Sequence, residues 1–395
     1  MSTMTPSPHQ AQEAERQLRR TLECLIGVHF TEGNAITVLR NGDEIFPAML
    51  EAIRGARRTV DLMTYVYWKG VPARQFAEAL SERASAGVRV RVLIDAVGGL
   101  NIEDGLVESM ERAGVDVRWF RQPWLKSPFK QNHRCHRKVC IVDEHIGFTG
   151  GVGIAEEWRG DARNPGEWRD THIRVEGPAV DGLAAAFAQN WAEAGDTLYD
   201  ERDRFPEQPQ PGSAVVQVVR GSATIGWDDI QTVWYVLMRS ARRRIQLQTA
   251  YFSPDSTLID ALCAAVARGA AVDVMVPGSH ADKRVTQLAT EATYAQLVSC
   301  GVRVWNYQPT MLHTKVLIID DTVALVGSSN QNPPALDPNA EVAMVVLEHP
   351  TRGHVAPHIE EDLKQSRQID LSRWERRSLA QRALETAVRP IRRWL

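Results

Sequence analysis

The chain of 395 residues lacks a charge excess of either sign: 46 Lys and Arg against 49 Asp and Glu leave a formal charge of -3. A general nucleic-acid binder carries a strong basic surplus, so that class is set aside and no nucleic-acid partner is expected. No apolar run reaches the roughly 18 residues that a membrane span requires, so any membrane contact is expected to be peripheral. Residues 1–8 are polar and the segment 10–28 is charged, which fits neither a signal peptide nor an anchor. Cysteine is sparse. Cys24, Cys135, Cys140, Cys263 and Cys300 are odd in number and lack framework spacing, the pattern of reduced thiols in a cytoplasmic protein.

What the chain does have is alternation. Ala14, Leu18, Leu22 and Leu25 recur at helical spacing in an amphipathic first element, which packs either on the body or on another surface. Gly33-Asn34 and Asn41-Gly42 punctuate a short strand pair at 36–39, and Phe46-Pro47 opens a helix to about Arg54. Strands are then expected over 59–68, 88–94, 115–120 and 172–175, with helices over 74–86, 107–113 and 180–192. The second half repeats the order, with strands over 215–219, 245–252, 272–276 and 302–307 and helices over 228–239, 258–267 and 285–299. Ala86-Gly87-Val88 has its echo in Arg268-Gly269-Ala270, and Ala113-Gly114-Val115 in Cys300-Gly301-Val302. The chain therefore reads as a duplicated α/β sandwich with a largely buried sheet. Its expected divisions are an N-terminal helix (1–30), a first domain (31–200), a linker (201–213), a second domain (214–350) and a basic tail (351–395).

The chemistry sits in a stretch that occurs twice. Residues 135–143 read Cys-His-Arg-Lys-Val-Cys-Ile-Val-Asp, with the apolar run 139–142 of a buried strand. Strand side chains alternate, so His136 and Lys138 share a face while Asp143 points away. An imidazole beside a cation suits a phosphate group, yet one copy of so short a pattern fits an ordinary strand that begins with solvated basic residues. The second copy decides between them: His313, Lys315 and Asp320 repeat the offsets of His136, Lys138 and Asp143. Gly150-Gly151-Val152-Gly153 and Gly327-Ser328-Ser329-Asn330 then follow at equal distance from the two aspartates.

The doubled pattern resembles that of the phospholipase D superfamily, H-x-K-x4-D-x6-G-[SG]-x-N, one copy per half of a bilobal chain. Within it, bacterial cardiolipin synthases are resembled by Leu39-x-Asn41-Gly42-x-Glu44-x-Phe46-Pro47-Ala48-Met49-Leu50, Trp168-Arg169-Asp170-Thr171-His172, Gly177-Pro178-Ala179-Val180 and Met311-Leu312-His313-Thr314-Lys315. The resemblance implies two fused, pseudo-two-fold-related α/β domains with the active site at their interface. It implies a metal-free, cofactor-free transfer of a phosphatidyl group between anionic phospholipids, with His136 as nucleophile and His313 as general acid and base. Lys138 and Lys315 would hold the phosphoryl oxygens, Glu341 would orient His136, and Asp170 would orient His313. Ser328 and Asn330 would support the second copy. Asp143 and Asp320 complete the catalytic motifs and are expected to brace backbone. Gly153 departs from the pattern, which has Asn at that position.

Two other readings accompany this one. His133, Cys135, His136, Cys140 and His145 are all competent zinc ligands, but alternation splits them between faces and the second copy has no cysteine. Hydrolysis of a phospholipid, or of nucleic acid, would use the same four side chains. The loop 121–132, with Trp124, Lys126, Phe129 and Lys130, either lines an entrance or packs down as surface. The tail holds Arg373, Arg376, Arg377, Arg382, Arg389, Arg392 and Arg393 with Trp374 and Trp394. It suits either an interfacial helix on the inner face of the cell membrane or a terminal helix docked on its own domain.

Overall fold

The computed structural model describes residues 8–122, 133–195, 205–221, 229–331, 339–347 and 355–376. The aromatic and basic residues of 123–132, the first part of the linker and the tail from 377 onward lie outside the described residues.

After α1 (Pro8–Ile26), one arrangement is built twice. The first copy runs β1 (Thr31–Arg40), α2 (Asn41–Gly55), β2 (Thr59–Thr64), α3 (Val71–Ser85), β3 (Arg89–Asp95), α4 (Leu106–Arg112), β4 (Asp116–Phe120), β5 (Val139–Val142), β6 (Ile146–Gly150), β7 (Thr171–Glu176) and α5 (Val180–Ala194). The second runs β8 (Ala214–Gly221), α6 (Asp229–Ser240), β9 (Arg244–Thr249), α7 (Ser256–Ala267), β10 (Ala271–Pro277), α8 (Arg284–Glu291), α9 (Tyr294–Ser299), β11 (Arg303–Tyr307), β12 (Lys315–Ile319), β13 (Val323–Gly327) and β14 (Glu341–Leu347). It closes with α10 (Ala356–Lys364), β15 (Ser366–Gln368) and α11 (Leu371–Glu375).

The fifteen strands among the described residues join in one order, β15-β11-β10-β9-β12-β13-β14-β8-β1-β7-β6-β5-β2-β3-β4. Reading outward from the β8–β1 junction gives the same sequence of equivalents on both sides as far as β11 and β4, with β15 an addition at one edge, so the pseudo-two-fold passes between β8 and β1. Within each half, β2-β3-β4 and β9-β10-β11 are parallel, as strand–helix–strand crossovers require, and the motif strand is antiparallel to its neighbours, while β15 closes the second edge antiparallel to β11. The echoing glycines make the crossovers possible. Gly87, Gly114, Gly269 and Gly301 each follow a helix with φ of 87°, 96°, 93° and 95°, the left-handed step that ends a helix before the next strand.

Burial follows the alternation. Cys140, Val142 and Phe148 face a core shared with α2 and α3, and Leu317, Ile319 and Leu325 face a core shared with α6 and α7. The opposite faces meet in a third core: Val139, Ile141 and Ile173 pack with Val316, Ile318 and Met344 and with Phe187 of α5. The first helix packs on the second half, where Leu22 is fully buried beside α6.

Three expectations are corrected. Asn41-Gly42 is not a hairpin turn: β1 is one continuous strand and Asn41 opens α2 with a φ of 56°. Its side chain is engaged elsewhere, donating to Asp161 at 2.9 Å and accepting from the Asp170 N–H at 3.1 Å. The single helix expected over 285–299 is two, α8 and α9. At the end of α8 the Thr290 hydroxyl reaches the Phe252 carbonyl at 2.8 Å, and in the break the Thr293 hydroxyl bonds the Thr290 carbonyl at 2.7 Å, which competes with helical continuation. Cys263 and Cys300 are joined in a disulfide with Cα atoms 5.6 Å apart, because α7 and the end of α9 pack together. Reduced thiols are therefore confined to Cys24, Cys135 and Cys140.

Candidate active site

Each motif histidine stands just before a buried strand and is fixed by the other half of the molecule. Cys135 forms a parallel bridge with Ala340, and the His136 N–H donates to the Ala340 carbonyl at 3.0 Å. Leu312 forms the equivalent bridge with Arg169, and the His313 N–H donates to the Arg169 carbonyl at 2.7 Å. In both cases the next residue after the bridging partner is a carboxylate. His136 Nδ1 lies 2.8 Å from Glu341 Oε1, and His313 Nδ1 lies 2.7 Å from Asp170 Oδ2. An ionised carboxylate only accepts, so each ring carries its proton on Nδ1 and turns Nε2 away from the carboxylate.

Each lysine stands beside an aromatic ring, Lys138 that of Tyr65 and Lys315 that of His313. Lys138 Nζ donates to the His136 carbonyl at 2.8 Å and sits 5.6 Å from the centre of the Tyr65 ring. Lys315 Nζ is 3.0 and 3.1 Å from the two ring nitrogens of His313. Arg137, between the first pair, crosses into the second half, where its guanidinium donates to the Glu341 carbonyl at 3.0 Å and the Gly221 carbonyl at 2.9 Å.

Burial sets the charges of this group. Desolvation lowers His136 despite Glu341, and it lowers His313 to about 3 with help from the Lys315 charge, so both imidazoles rest neutral. Lys315 is brought down to about 7 by the same burial, with Asp170, Glu341 and Asp282 opposing and Lys138 assisting. Burial works to raise Asp170 and Glu341, but their histidine partners and the lysines hold both below the ordinary carboxylate range.

The two carboxylates are supported differently, and here the departure at Gly153 finds its reason. Glu341 Oε2 accepts from the Ser328 hydroxyl, which in turn accepts from the Val342 N–H at 3.1 Å. At the matching place of the first copy stands Gly151, where a Cβ would lie 2.2 Å from Asp170 Oδ1. A Cβ on Gly153 would lie 2.7 Å from the Cβ of Val66 and 3.1 Å from the ring of Trp158. Trp158 fills that space and supports the carboxylate in place of a hydroxyl. Its Nε1 donates to Asp170 Oδ2 at 2.9 Å, and its ring meets that of His313 edge-on at 5.1 Å. The Asn330 amide on the other side has a buried carbonyl oxygen with no bonded partner among the described residues.

Asp143 and Asp320 stand apart from the histidines. Asp143 accepts the backbone N–H groups of Arg57, Arg58 and Thr59 at 2.7–3.2 Å, and Asp320 those of Arg242, Arg243 and Arg244 at 2.7–2.8 Å. They tie the motif strands to the starts of β2 and β9, a bracing position rather than a catalytic one. Sequence reasoning does not find the site contacts of Asn41, Trp158 and Asp362. Asp362 is fully buried and accepts from Arg169 Nε at 3.0 Å on both oxygens, from Arg40 at 3.0 Å and from Gln248 at 2.9 Å. The zinc alternative gains nothing from the geometry: Cys135 Sγ lies 3.4 Å from Met63 Sδ, and Cys140 packs in the core with Phe148.

The chain is similar to known proteins along most of its length. Residues 49–157 and 235–365 match the family described as cardiolipin synthase, PLD-like domain. The chain is 30% identical over 365 residues to cardiolipin synthase 1 of Bacillus cereus, spanning 90% of this chain and 71% of that one. It is 32% identical over 360 residues to a probable cardiolipin synthase of Bacillus subtilis, with 90% and 71% spanned. Among solved structures, phosphatidylserine synthase from Haemophilus influenzae superposes over 97% of both chains with a TM-score of 0.71 at 15% identity, a likeness of fold.

Proposed function

The chain belongs to the cardiolipin synthase family of phospholipase D-like proteins, and from that premise we propose that its phosphatidyl transfer runs through a phosphohistidine on His136. The observation that carries the reading is the crossed pair of contacts, His136 to Glu341 and His313 to Asp170, at 2.8 and 2.7 Å. Each gives an imidazole whose Nε2 is presented by a carboxylate that arrives from the other half.

In the first step His136 Nε2 attacks the phosphorus of phosphatidylglycerol. The N–P bond forms as the bond to the glycerol oxygen breaks, and His313 delivers its proton to that oxygen. The lysines offset the charge on the non-bridging oxygens, in a site whose burial strengthens every such interaction. Burial keeps His136 neutral, as a nucleophile requires. His313, also neutral at rest, gains its proton with the substrate, because a phosphodiester anion favours the imidazolium. In the second step the hydroxyl of a second phosphatidylglycerol gives its proton to His313 and displaces His136, forming cardiolipin. Attachment to the inner face of the cell membrane is peripheral in this reading; among the described residues no helix is long and apolar enough to cross a bilayer.

The test incubates purified protein with phosphatidylglycerol vesicles and follows lipids and protein by mass spectrometry. Cardiolipin, released glycerol and a phosphatidyl adduct on His136 are expected, and His136→Ala loses all three. Phosphatidic acid alone would establish hydrolysis instead, and a fully active His136→Ala protein would overturn the mechanism.

A further inference from the structure

The two halves present one backbone to the site but surround it with different chemistry. Equivalent turns follow β2 and β9: the Thr64 hydroxyl bonds the Val66 carbonyl at 2.9 Å, and that of Thr249 the Tyr251 carbonyl at 2.8 Å. Beyond these turns the likeness ends. On the His136 side, the ring of Tyr65 lies 5.0 Å from the imidazole. The adjacent loop after β3 exposes Val97 and Leu100, and Gly98 in it is packed against the Tyr65 backbone. On the His313 side, the ring of Tyr251 lies 6.3 Å from the imidazole, and its hydroxyl donates to Asp282 at 2.6 Å. Lys283 Nζ sits 5.1 Å from the centre of the same ring. Tyr251, Asp282, Lys283, Thr286 and Gln287 line a shallow recess in the loop and helix that follow β10. The His136 rim carries Tyr65 and exposed apolar side chains, whereas the His313 rim, with Trp158 and Trp168 at 5.1 and 5.4 Å from the imidazole, adds the charged side chains of Asp282 and Lys283.

Displacement at phosphorus places entering and leaving groups on opposite sides. With His136 as nucleophile, the alcohol that departs and the alcohol that later enters both occupy the His313 side. Of the reactants, these alcohols are the polar ones: glycerol leaves, and the glycerol headgroup of a second lipid, with a phosphodiester one glycerol away, enters. We propose that Tyr251, Asp282 and Lys283 form the alcohol subsite of the reaction, Asp282 accepting from the glycerol hydroxyls and Lys283 meeting the phosphodiester of the incoming anionic lipid. The inference rests on the assignment of His136 and His313 made above. It also says why a lipid alcohol competes with water: water has no second hydroxyl for Asp282 and no phosphate for Lys283, so the subsite raises the local concentration of the lipid alone.

The experiment supplies phosphatidylglycerol vesicles with and without 1-butanol, an acceptor lacking both recognition features, and measures cardiolipin, phosphatidylbutanol and phosphatidic acid. In Lys283→Ala the ratio of cardiolipin to phosphatidic acid is expected to fall about tenfold, and cardiolipin to fall far more than phosphatidylbutanol. In Asp282→Asn the ratio of cardiolipin to phosphatidylbutanol is expected to fall, because butanol has no second hydroxyl for Asp282 to accept from. Unchanged ratios in both variants would overturn the subsite, as would equal loss of cardiolipin and phosphatidylbutanol in Lys283→Ala. A wild-type protein that makes phosphatidic acid but neither transfer product would instead overturn the transferase reading on which the subsite rests.

Discussion

At the scale of single residues, the site is symmetric in its reacting groups and asymmetric in what holds them. A hydroxyl steadies Glu341, and an indole steadies Asp170. The Trp158 N–H bonds a charged acceptor in a dry environment, a class of hydrogen bond worth about 1.5–3 kcal/mol, and each 1.4 kcal/mol is tenfold in rate. Trp158→Phe, which keeps the ring against His313 and removes the donor, is therefore expected to lower kcat by about ten- to a hundredfold with KM nearly unchanged. Steady-state kinetics that showed only a KM effect would remove Trp158 from the support of Asp170. The His/Lys pairs are legible in the sequence because the pattern occurs twice at equal offsets. Asp170 and Glu341 are legible only through family resemblance, since each acts on a histidine in the other half, more than a hundred residues away. Trp158 leaves a single trace, the missing side chain at Gly153, and nothing local says which residue fills that space.

At the scale of elements, the strands announced by apolar runs are present, and those defined mainly by their neighbours escape a reading of the sequence. β6, β13 and β14 complete the sheet between the motif strands and the central junction, and their identity becomes plain only once they pair. α10 escapes it too, although through Asp362 it reaches the backbone that holds His313. Asp362 joins Arg169, whose carbonyl receives the His313 N–H, to Arg40 and Gln248. Removing one partner of a buried ion pair strands the other, at about 3–5 kcal/mol. Asp362→Ala is thus expected to lower unfolding stability by about that much in a denaturant titration. Adding Arg169→Met should recover part of the loss, and a double variant no more stable than the single one would contradict the account.

At the scale of the whole molecule, the buried histidines, carboxylates and lysine around the site all make stability rise with pH, while the buried thiols of Cys135 and Cys140, pushed up by burial, oppose them only at alkaline pH. His313 and His172 are held at about 3 and about 4 when folded, both through burial, against 6.5 for the ordinary imidazole. The unfolded chain binds more protons across that window, so stability falls as pH drops from about 6.5 toward 4. Asp170 and Glu341, depressed in the fold, lose their contribution at still lower pH. Lys315, at about 7 when folded and 10.5 ordinarily, adds stability as pH rises through that interval. Urea midpoints should therefore increase from pH 5 to 7 to 9, and a maximum at pH 5 would reject this origin. The crossed bridges, Cys135 with Ala340 and Arg169 with Leu312, bear also on how the enzyme comes into being. While the chain is being synthesised, the first histidine is in place long before its carboxylate, which is residue 341 of 395. A nascent or truncated first half holds His136 without its orienting partner, so in the proposed mechanism phosphatidyl transfer begins only once Glu341 has been made and the second half has folded against the first.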